Sequence, residues 1–130
     1  MIKMEYGYRK EVEMDFPAAV ARTKEELKKE GFGILTEIDV KATMKEKLGI
    51  DFDEYMILGA CNPPFAHKAL SLEKEVGLLM PCNVIVYRDG GRVFVSSILP
   101  TSAMGMIENG NLRTIAAEVE EKLKKAVDMI

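Results

Sequence analysis

The chain has 130 residues, 48% of them hydrophobic and 30% charged, which is enough apolar material for a single folded domain spanning residues 1–130. Its 18 basic and 21 acidic side chains give a net charge of −3, so no excess of Lys and Arg favours nucleic acid as a partner. The longest apolar run, residues 55–61, is too short to span a membrane. Without a signal-peptide stretch, and with two cysteines that fit free thiols, we expect a cytoplasmic protein.

The first third of the chain predicts a strand, a helix and a second strand. Apolar and polar residues alternate from Ile2 to Met14, with Lys10 as the one break, which predicts a single long strand with one face toward water. Asp15 predicts the start of a helix over residues 15–30, because its carboxylate can accept hydrogen bonds from first-turn amides. Alternation then resumes over residues 32–40 as a second strand.

The middle of the chain predicts shorter elements. Residues 41–48 form a short charged helix or turn. Residues 55–61 are apolar without alternation, which predicts a central third strand that is covered on both faces. Pro63 to Glu73 has the features of a short helix. Pro81 marks the start of a fourth strand, Cys82–Arg88.

The last third predicts a hairpin and a long helix. The turn signal Asp89-Gly90-Gly91 joins the fourth strand to a fifth, Arg92–Leu99. An apolar stripe at helical spacing predicts a helix over residues 111–130, capped by Asn111. The order β-α-β-β-β-β-α predicts an α+β fold, in which an antiparallel sheet of four or five strands carries the 15–30 and 111–130 helices on the same face.

Two Cys-Asn pairs, each beside a proline, are the most informative local features: Cys61-Asn62-Pro63 and Pro81-Cys82-Asn83. If the third and fourth strands pair antiparallel, the end of one lies beside the start of the next, so we predict that both pairs border one site with the thiols about one side-chain contact apart. Asn62 is expected to cap the helix that begins at Pro63, which places free amides and a positive dipole end near Cys61.

Several chemistries remain open for these residues. Both cysteines can simply fill the core while Asn62 caps a helix. Cys61, His67 and Cys82 would give a metal three soft ligands, but their spacing matches no metal signature and we predict no metal site. A redox pair lacks the Cys-x-x-Cys spacing, and a Cys–His dyad with His67 lacks an orienting third group. No Walker, Gly-x-Ser-x-Gly or dinucleotide motif points to a cofactor.

Three stretches, Thr36–Gly49, Tyr55–Pro63 and Gly77–Val84, resemble the uncharacterised prokaryotic family called domain of unknown function 302, and the similarity covers almost the whole chain. The resemblance implies a small β-α-β4-α fold, similar in shape to the half-repeat of the TATA-binding protein, and a homodimer. The Cys-Asn-Pro and Pro-Cys segments of the family correspond to Cys61, Asn62, Pro63, Pro81 and Cys82. His67 lies outside that pattern, and the family supplies no activity, substrate or cofactor.

Three functional hypotheses follow from the sequence. The first is a binding or accessory protein that takes a small polar, anionic or sulfur-containing ligand in a pocket lined by Cys61, Asn62, Pro63, His67, Pro81, Cys82 and Asn83. The second is a thiol-dependent enzyme in which Cys61 is a low-pKa nucleophile and Cys82 its resolving partner. The third is a structural dimerisation module.

We also predict that the protein is a homodimer. The even-numbered face of the first strand, including Tyr6 and Tyr8, is apolar and extensive. The Gly-rich loop over residues 100–110 adds Met104 and Met106, as a mobile lid or a partner surface. Together these residues offer more apolar surface than two helices readily cover, which favours a second copy of the chain as the cover.

Overall fold

A computed structural model of the chain describes residues 2–3 and 5–130; Met1, and Met4 of the predicted first strand, lie outside the described residues. The strands are β1 (Ile2–Lys3), β2 (Gly7–Val12), β3 (Gly33–Asp39), β4 (Tyr55–Cys61), β5 (Cys82–Asp89) and β6 (Arg92–Ile98). The helices are α1 (Phe16–Lys29), α2 (Val40–Leu48), α3 (Pro63–Leu72), α4 (Pro100–Ala103) and α5 (Gly110–Asp128), with a 3-10 helix at Lys74–Leu79. Within the described part of the chain, no helix is both long and apolar enough to cross a membrane.

The predicted α+β fold is confirmed. The strands form one antiparallel sheet in the order β1-β2-β6-β5-β4-β3, and α1 and α5 pack together on one face of it. The core between helices and sheet contains Leu27, Leu58, Val84, Val95 and Leu123, each at most 1% exposed. The expectation that residues 55–61 form a central strand covered on both faces was wrong. β4 lies next to the edge strand β3, and while Leu58 and Ala60 belong to the buried core, Tyr55 and Ile57 on the opposite face are only partly buried.

The first strand differs from its prediction. Instead of one strand over residues 2–14, the chain bends at Glu5 and Tyr6, and β1 folds back on β2 so that Ile2 pairs with Arg9. Alternation survives this bend because both strands of a hairpin keep the same period of two, so the pattern alone does not distinguish one long strand from two short ones. Among the described residues the sheet therefore has six strands instead of the predicted four or five.

Lys10, the break in the alternation, points to the covered face and holds the end of α5. Its Nζ donates to the carbonyl oxygens of Asp128 at 3.0 Å and Ile130 at 2.5 Å. The hydroxyl of Tyr8, two residues earlier on the same face, donates to Asp128 Oδ1 at 2.9 Å. A cation at this position pairs with backbone carbonyls at and just beyond the end of α5, and it also complements the negative end of the helix dipole.

The ends of both long helices follow the expected chemistry, with one correction. Asp15 Oδ1 accepts from the amide of Ala18 at 2.8 Å and caps α1, as predicted. The cap of α5 is Asn109 rather than Asn111, because Asn109 Oδ1 accepts from the amides of Asn111 and Leu112 at 3.1 Å each. In the sequence Asn109-Gly110-Asn111 both asparagines are suitable caps, so composition alone does not select between them.

The predicted hairpin between β5 and β6 is confirmed. Asp89 pairs with Arg92, and the two residues between them, Gly90 and Gly91, have φ values of 59° and 83°. Positive φ at both central positions is the requirement of a type I′ turn, which glycine meets without steric cost.

Candidate functional site

Strand pairing brings the two Cys-Asn segments to the same end of the sheet. Across β4 and β5, Ala60 pairs with Cys82 and Gly59 pairs with Asn83. Helix α3 begins directly after β4, at Pro63, so its first turn lies at that end as well. The two segments are thus spatial neighbours because antiparallel strands place the end of one beside the start of the next.

Cys61 and Cys82 are one residue out of register with each other across β4 and β5. Cys82 is level with Ala60 and packs against the helix-covered core. Successive strand residues point to opposite faces, so the Cys61 side chain starts toward the other face of the sheet. Both cysteines are half-buried, and both border one narrow cleft beneath α3. Both cysteines therefore form part of the wall of the same cleft.

Burial raises the pKa of both thiols. For Cys82, desolvation and, to a smaller extent, the charge of a Cys61 thiolate raise the pKa to about 11. For Cys61, desolvation alone raises the pKa above its ordinary value. Both groups are therefore protonated at neutral pH, which is the opposite of what a reactive nucleophilic cysteine needs.

Asn62 occupies the cap position of α3 but its side chain does not cap the helix. Its Nδ2 donates to the carbonyl oxygen of Glu30 at 3.2 Å, and the residue is 9% exposed. The amide therefore ties the end of β4 to the turn between α1 and β3. Gly31 follows Glu30 in that turn, and a Cβ at Gly31 would lie 3.1 Å from Asn62 Nδ2. The predicted cap is thus replaced by a contact that links two elements.

Pro63 and His67 do not border the cleft that the two thiols share. Pro63 is exposed at the start of α3. His67 is exposed further along the helix, where it borders a different surface depression together with Asn111 and Thr114. Among the described residues, no group of three or more His, Cys, Asp and Glu side chains is placed to hold a metal ion.

Pro81 fits closely over Gly59, and Asn83 is exposed beside it. A Cβ on Gly59 would lie 2.8 Å from Pro81 Cγ and would overlap the Thr36 hydroxyl. The peptide bond between Met80 and Pro81 is cis. Glycine is therefore the residue that allows the proline ring to approach the sheet at this point.

The cleft has two compartments, which we together call the Cys82 cleft. The inner one, about 40 Å³, lies between the end of β4, α3 and α5. The outer one, about 230 Å³, lies between the 3-10 helix, the start of β5 and α4. The residues that border both compartments are Met80, Pro81, Cys82, Pro100 and Met104. The shared wall therefore consists mainly of carbon and sulfur.

Sequence reasoning missed the part of this cleft that comes from α4. Pro100, Ala103 and Met104 line the outer compartment, and Met104 is only 7% exposed, so it is a wall residue and not part of a mobile lid. Met106, by contrast, is 77% exposed. The available signal was Pro100 itself, since proline is favoured in the first turn of a helix and predicts that a helix begins directly after β6.

These features define a class: a single-sheet α+β protein with a small apolar cleft at one end of its central strands. Within that class, the chain belongs to the family described as domain of unknown function DUF302, whose model matches residues 8–130. A similar solved structure is an uncharacterized conserved protein DUF302 from Bacillus stearothermophilus, with 34% sequence identity and a TM-score of 0.88. That match covers 94% of this chain and 95% of the other. No curated protein matches the sequence.

Proposed function

We propose that this protein is a small-ligand-binding or accessory protein whose ligand occupies the Cys82 cleft. The observation that carries the proposal is the outer compartment of about 230 Å³, which is concave, largely apolar and bordered by the exposed amide of Asn83. Binding sites for small molecules typically combine an apolar wall with a few polar groups that orient the ligand. Asn83 is the group that would orient a ligand here.

The lining favours a sulfur-containing or aliphatic ligand over an anionic one. Two thioethers, Met80 and Met104, and the thiol of Cys82 border both compartments. The described residues that line the two compartments include no Lys or Arg. Methionine is flexible and polarizable, so it adapts to soft, apolar molecules. The volume lies just below the range of about 300–1,000 Å³ for drug-sized ligands, which favours a molecule of a few heavy atoms.

Binding is favoured over thiol catalysis because it does not need a thiolate. The pKa of Cys61 and that of Cys82 are both raised by burial. An enzyme that uses Cys61 as nucleophile needs a lowered pKa, from a nearby cation or another group that stabilises the thiolate. The protonated thiols suit a wall that contacts a ligand without reacting with it.

We also propose that the protein is a cytoplasmic homodimer that pairs through β3. Two free thiols are consistent with a reducing compartment. The surface expected from the sequence is not continuous, because Tyr8 faces the helices and Met104 is buried. The edge strand β3 instead exposes Leu35 by 65% and Ile38 by 46%, and an edge strand has backbone groups free to pair with another chain.

A matched pair of tryptophan variants tests the ligand site. Ala103 lines the outer compartment, so Ala103→Trp would fill it, whereas Ala117 is exposed on α5 and Ala117→Trp serves as the control. Ligand-observed NMR would screen a panel of small thioethers, thiols and aliphatic alcohols. We expect thioethers to bind the wild type and the Ala117→Trp control but not Ala103→Trp. A panel without any binder, or equal binding to both variants, would contradict the proposal.

A further inference from the structure

The face of the sheet that α1 and α5 leave uncovered carries a groove of about 410 Å³. It crosses the four strands β2, β6, β5 and β4, and it shares Asn83 and Ile98 with the outer compartment of the Cys82 cleft. Its volume falls within the range of about 300–1,000 Å³ that small-molecule sites occupy. The groove is therefore a second concave site, and most of its lining residues are distinct from those of the Cys82 cleft.

Aromatic rings form a rigid wall at one end of the groove. Strand pairing places Tyr55, Tyr87 and Phe94 level with one another on adjacent strands. The rings of Tyr55 and Tyr87 stack with centroids 5.5 Å apart, and those of Tyr87 and Phe94 stack at 5.3 Å. The stacked tyrosine rings, both of which line the groove, give a planar ligand a preformed surface to pack against.

Arg9 supplies a positive charge at this wall. Its Nη1 donates to the hydroxyl of Tyr87 at 3.3 Å, and its guanidinium carbon lies 5.0 Å from the centroid of the Phe94 ring. In the part of the chain that the structure describes, no carboxylate pairs with Arg9. Arg92, which stacks on the same Phe94 ring, is paired with Glu11 at 3.3 Å. The guanidinium of Arg9 is thus oriented by aromatic groups while its charge is left without a counter-ion.

Two neutral polar groups complete the lining. Asn83 lies on β5, exposed at one side of the groove, and Ser96 lies on β6 beside Arg9, with which it pairs across the strands. Ser96 is only 5% exposed. A guanidinium, an amide and a hydroxyl beside stacked rings fit a ligand that has one anionic group, one planar ring and a further hydrogen-bonding substituent.

We infer that this groove binds a small aromatic carboxylate, with the carboxylate on Arg9 and the ring against Tyr55 and Tyr87. A second copy of the chain fits this face poorly, because a two-fold interface pairs the same patch with itself and two concave patches would leave empty space between them. The inference goes beyond the Cys82 cleft, and a dimer that pairs through β3 would leave the groove open.

The test uses three carboxylates, benzoate, 4-hydroxybenzoate and indole-3-acetate, with benzamide as the uncharged analogue of benzoate. Binding to the intact protein is measured by isothermal titration calorimetry. We expect at least one carboxylate to bind, and benzamide to bind about tenfold or more weakly than benzoate, because hydrogen bonds to a charged group are the stronger kind. If no carboxylate binds, or if benzamide equals benzoate, the inference is overturned.

Four substitutions test whether the carboxylate binds in this groove. Arg9→Gln should lower the affinity for the best carboxylate by about tenfold or more. Arg92→Gln removes the arginine that is paired with Glu11, so it should leave that affinity within about twofold of the wild type. Asn83→Asp keeps an exposed position polar, so it should fold normally and weaken binding by repulsion. Ala103→Trp should leave binding intact, which separates this groove from the Cys82 cleft. Unchanged affinity in both Arg9→Gln and Asn83→Asp would overturn the inference.

Discussion

At the scale of single residues, Cys82 and Cys61 differ more than their similar sequence contexts suggest. Cys82 packs against the helix-covered core. Cys61 is the last residue of β4 and follows Ala60, the residue that pairs with Cys82. Desolvation raises the pKa of both thiols, and for Cys82 the shift is large, to about 11. Because the pKa of Cys82 is higher in the folded state than in the unfolded state, the free energy of unfolding depends on pH.

The first prediction follows from this dependence. The folded-state pKa of Cys82 lies above its ordinary value of 9.0, so the folded state keeps a proton that the unfolded state loses at high pH. Stability is fully present below about pH 9 and falls, by about 2–3 kcal/mol, as the pH rises through about 11. Urea unfolding at pH 8 and pH 11 would measure this loss.

The control for that measurement is Cys82→Ala, which should lose less stability than the wild type between the two pH values. Comparing the two proteins removes the contribution of other groups, such as lysines and tyrosines, that titrate in the same range. If the wild type and Cys82→Ala lose the same stability, the thiol of Cys82 is not the group that couples folding to pH.

A second prediction concerns the relative reactivity of the thiols. Cys61 is less desolvated at its strand end, so its thiolate fraction at pH 8 is larger than that of Cys82. Iodoacetamide should therefore modify Cys61 well before Cys82 in the native protein, as followed by mass spectrometry of the two peptides. In urea the two cysteines should be modified at similar rates. Faster modification of Cys82 than of Cys61 in the native protein would contradict the burial described above.

At the scale of elements, the close approach of Pro81 to β4 is the contact that fixes the cleft. A third prediction is that Gly59→Ala destabilises the protein by about 1–3 kcal/mol, because its Cβ would lie 2.8 Å from Pro81 Cγ and would overlap the Thr36 hydroxyl. Gly110→Ala is the matched control, since a Cβ there meets nothing within 4 Å. It should change stability by less than about 1 kcal/mol. Equal effects of the two substitutions, measured by urea unfolding, would contradict this account of Gly59.

Periodicity and turn chemistry predicted most of the elements, because these signals are local. The α5 stripe, the Asp15 cap and the Gly90-Gly91 turn each depend on residues close in sequence. The bend at Glu5 and Tyr6 was missed because the alternation on either side of it keeps the same period.

The part of the candidate site that could be predicted from the sequence was the proximity of the two Cys-Asn segments, because it follows from strand pairing. Antiparallel neighbours explain why Cys82 is level with Ala60, next to Cys61. The partner of the Asn62 amide, the Glu30 carbonyl, is 32 residues away, and the wall residue Met104 comes from a different part of the chain. Such contacts depend on tertiary packing, for which a single sequence contains no local pattern.

At the scale of the whole molecule, the sheet ends in an edge strand, β3, that no other described strand covers. A fourth prediction is that the protein is a homodimer and that Leu35→Glu converts it to a monomer. Leu35 is 65% exposed where the β3–β4 register shifts, so a charge there should prevent pairing without affecting the core. Light scattering after size-exclusion chromatography gives the mass.

Met129→Glu is the control for the dimer. Met129 is 56% exposed at the end of α5, next to β2 rather than β3. This variant should keep the mass of a dimer. A wild type that is monomeric at micromolar concentration, or a dimer that Leu35→Glu leaves intact, would contradict the assignment of the interface to β3.

Binding of a small apolar or sulfur-containing ligand in the Cys82 cleft can be followed through the methyl NMR signals of the methionines. Met80 and Met104 line the cleft, while Met129 lies far from it on the surface and serves as an internal control. On titration with the thioethers and thiols of the screening panel, we expect the signals of Met80 and Met104 to shift with a saturable dependence on concentration and the signal of Met129 to stay unchanged. Shifts at Met129 alone, or no saturable shift at Met80 and Met104, would contradict binding in the Cys82 cleft.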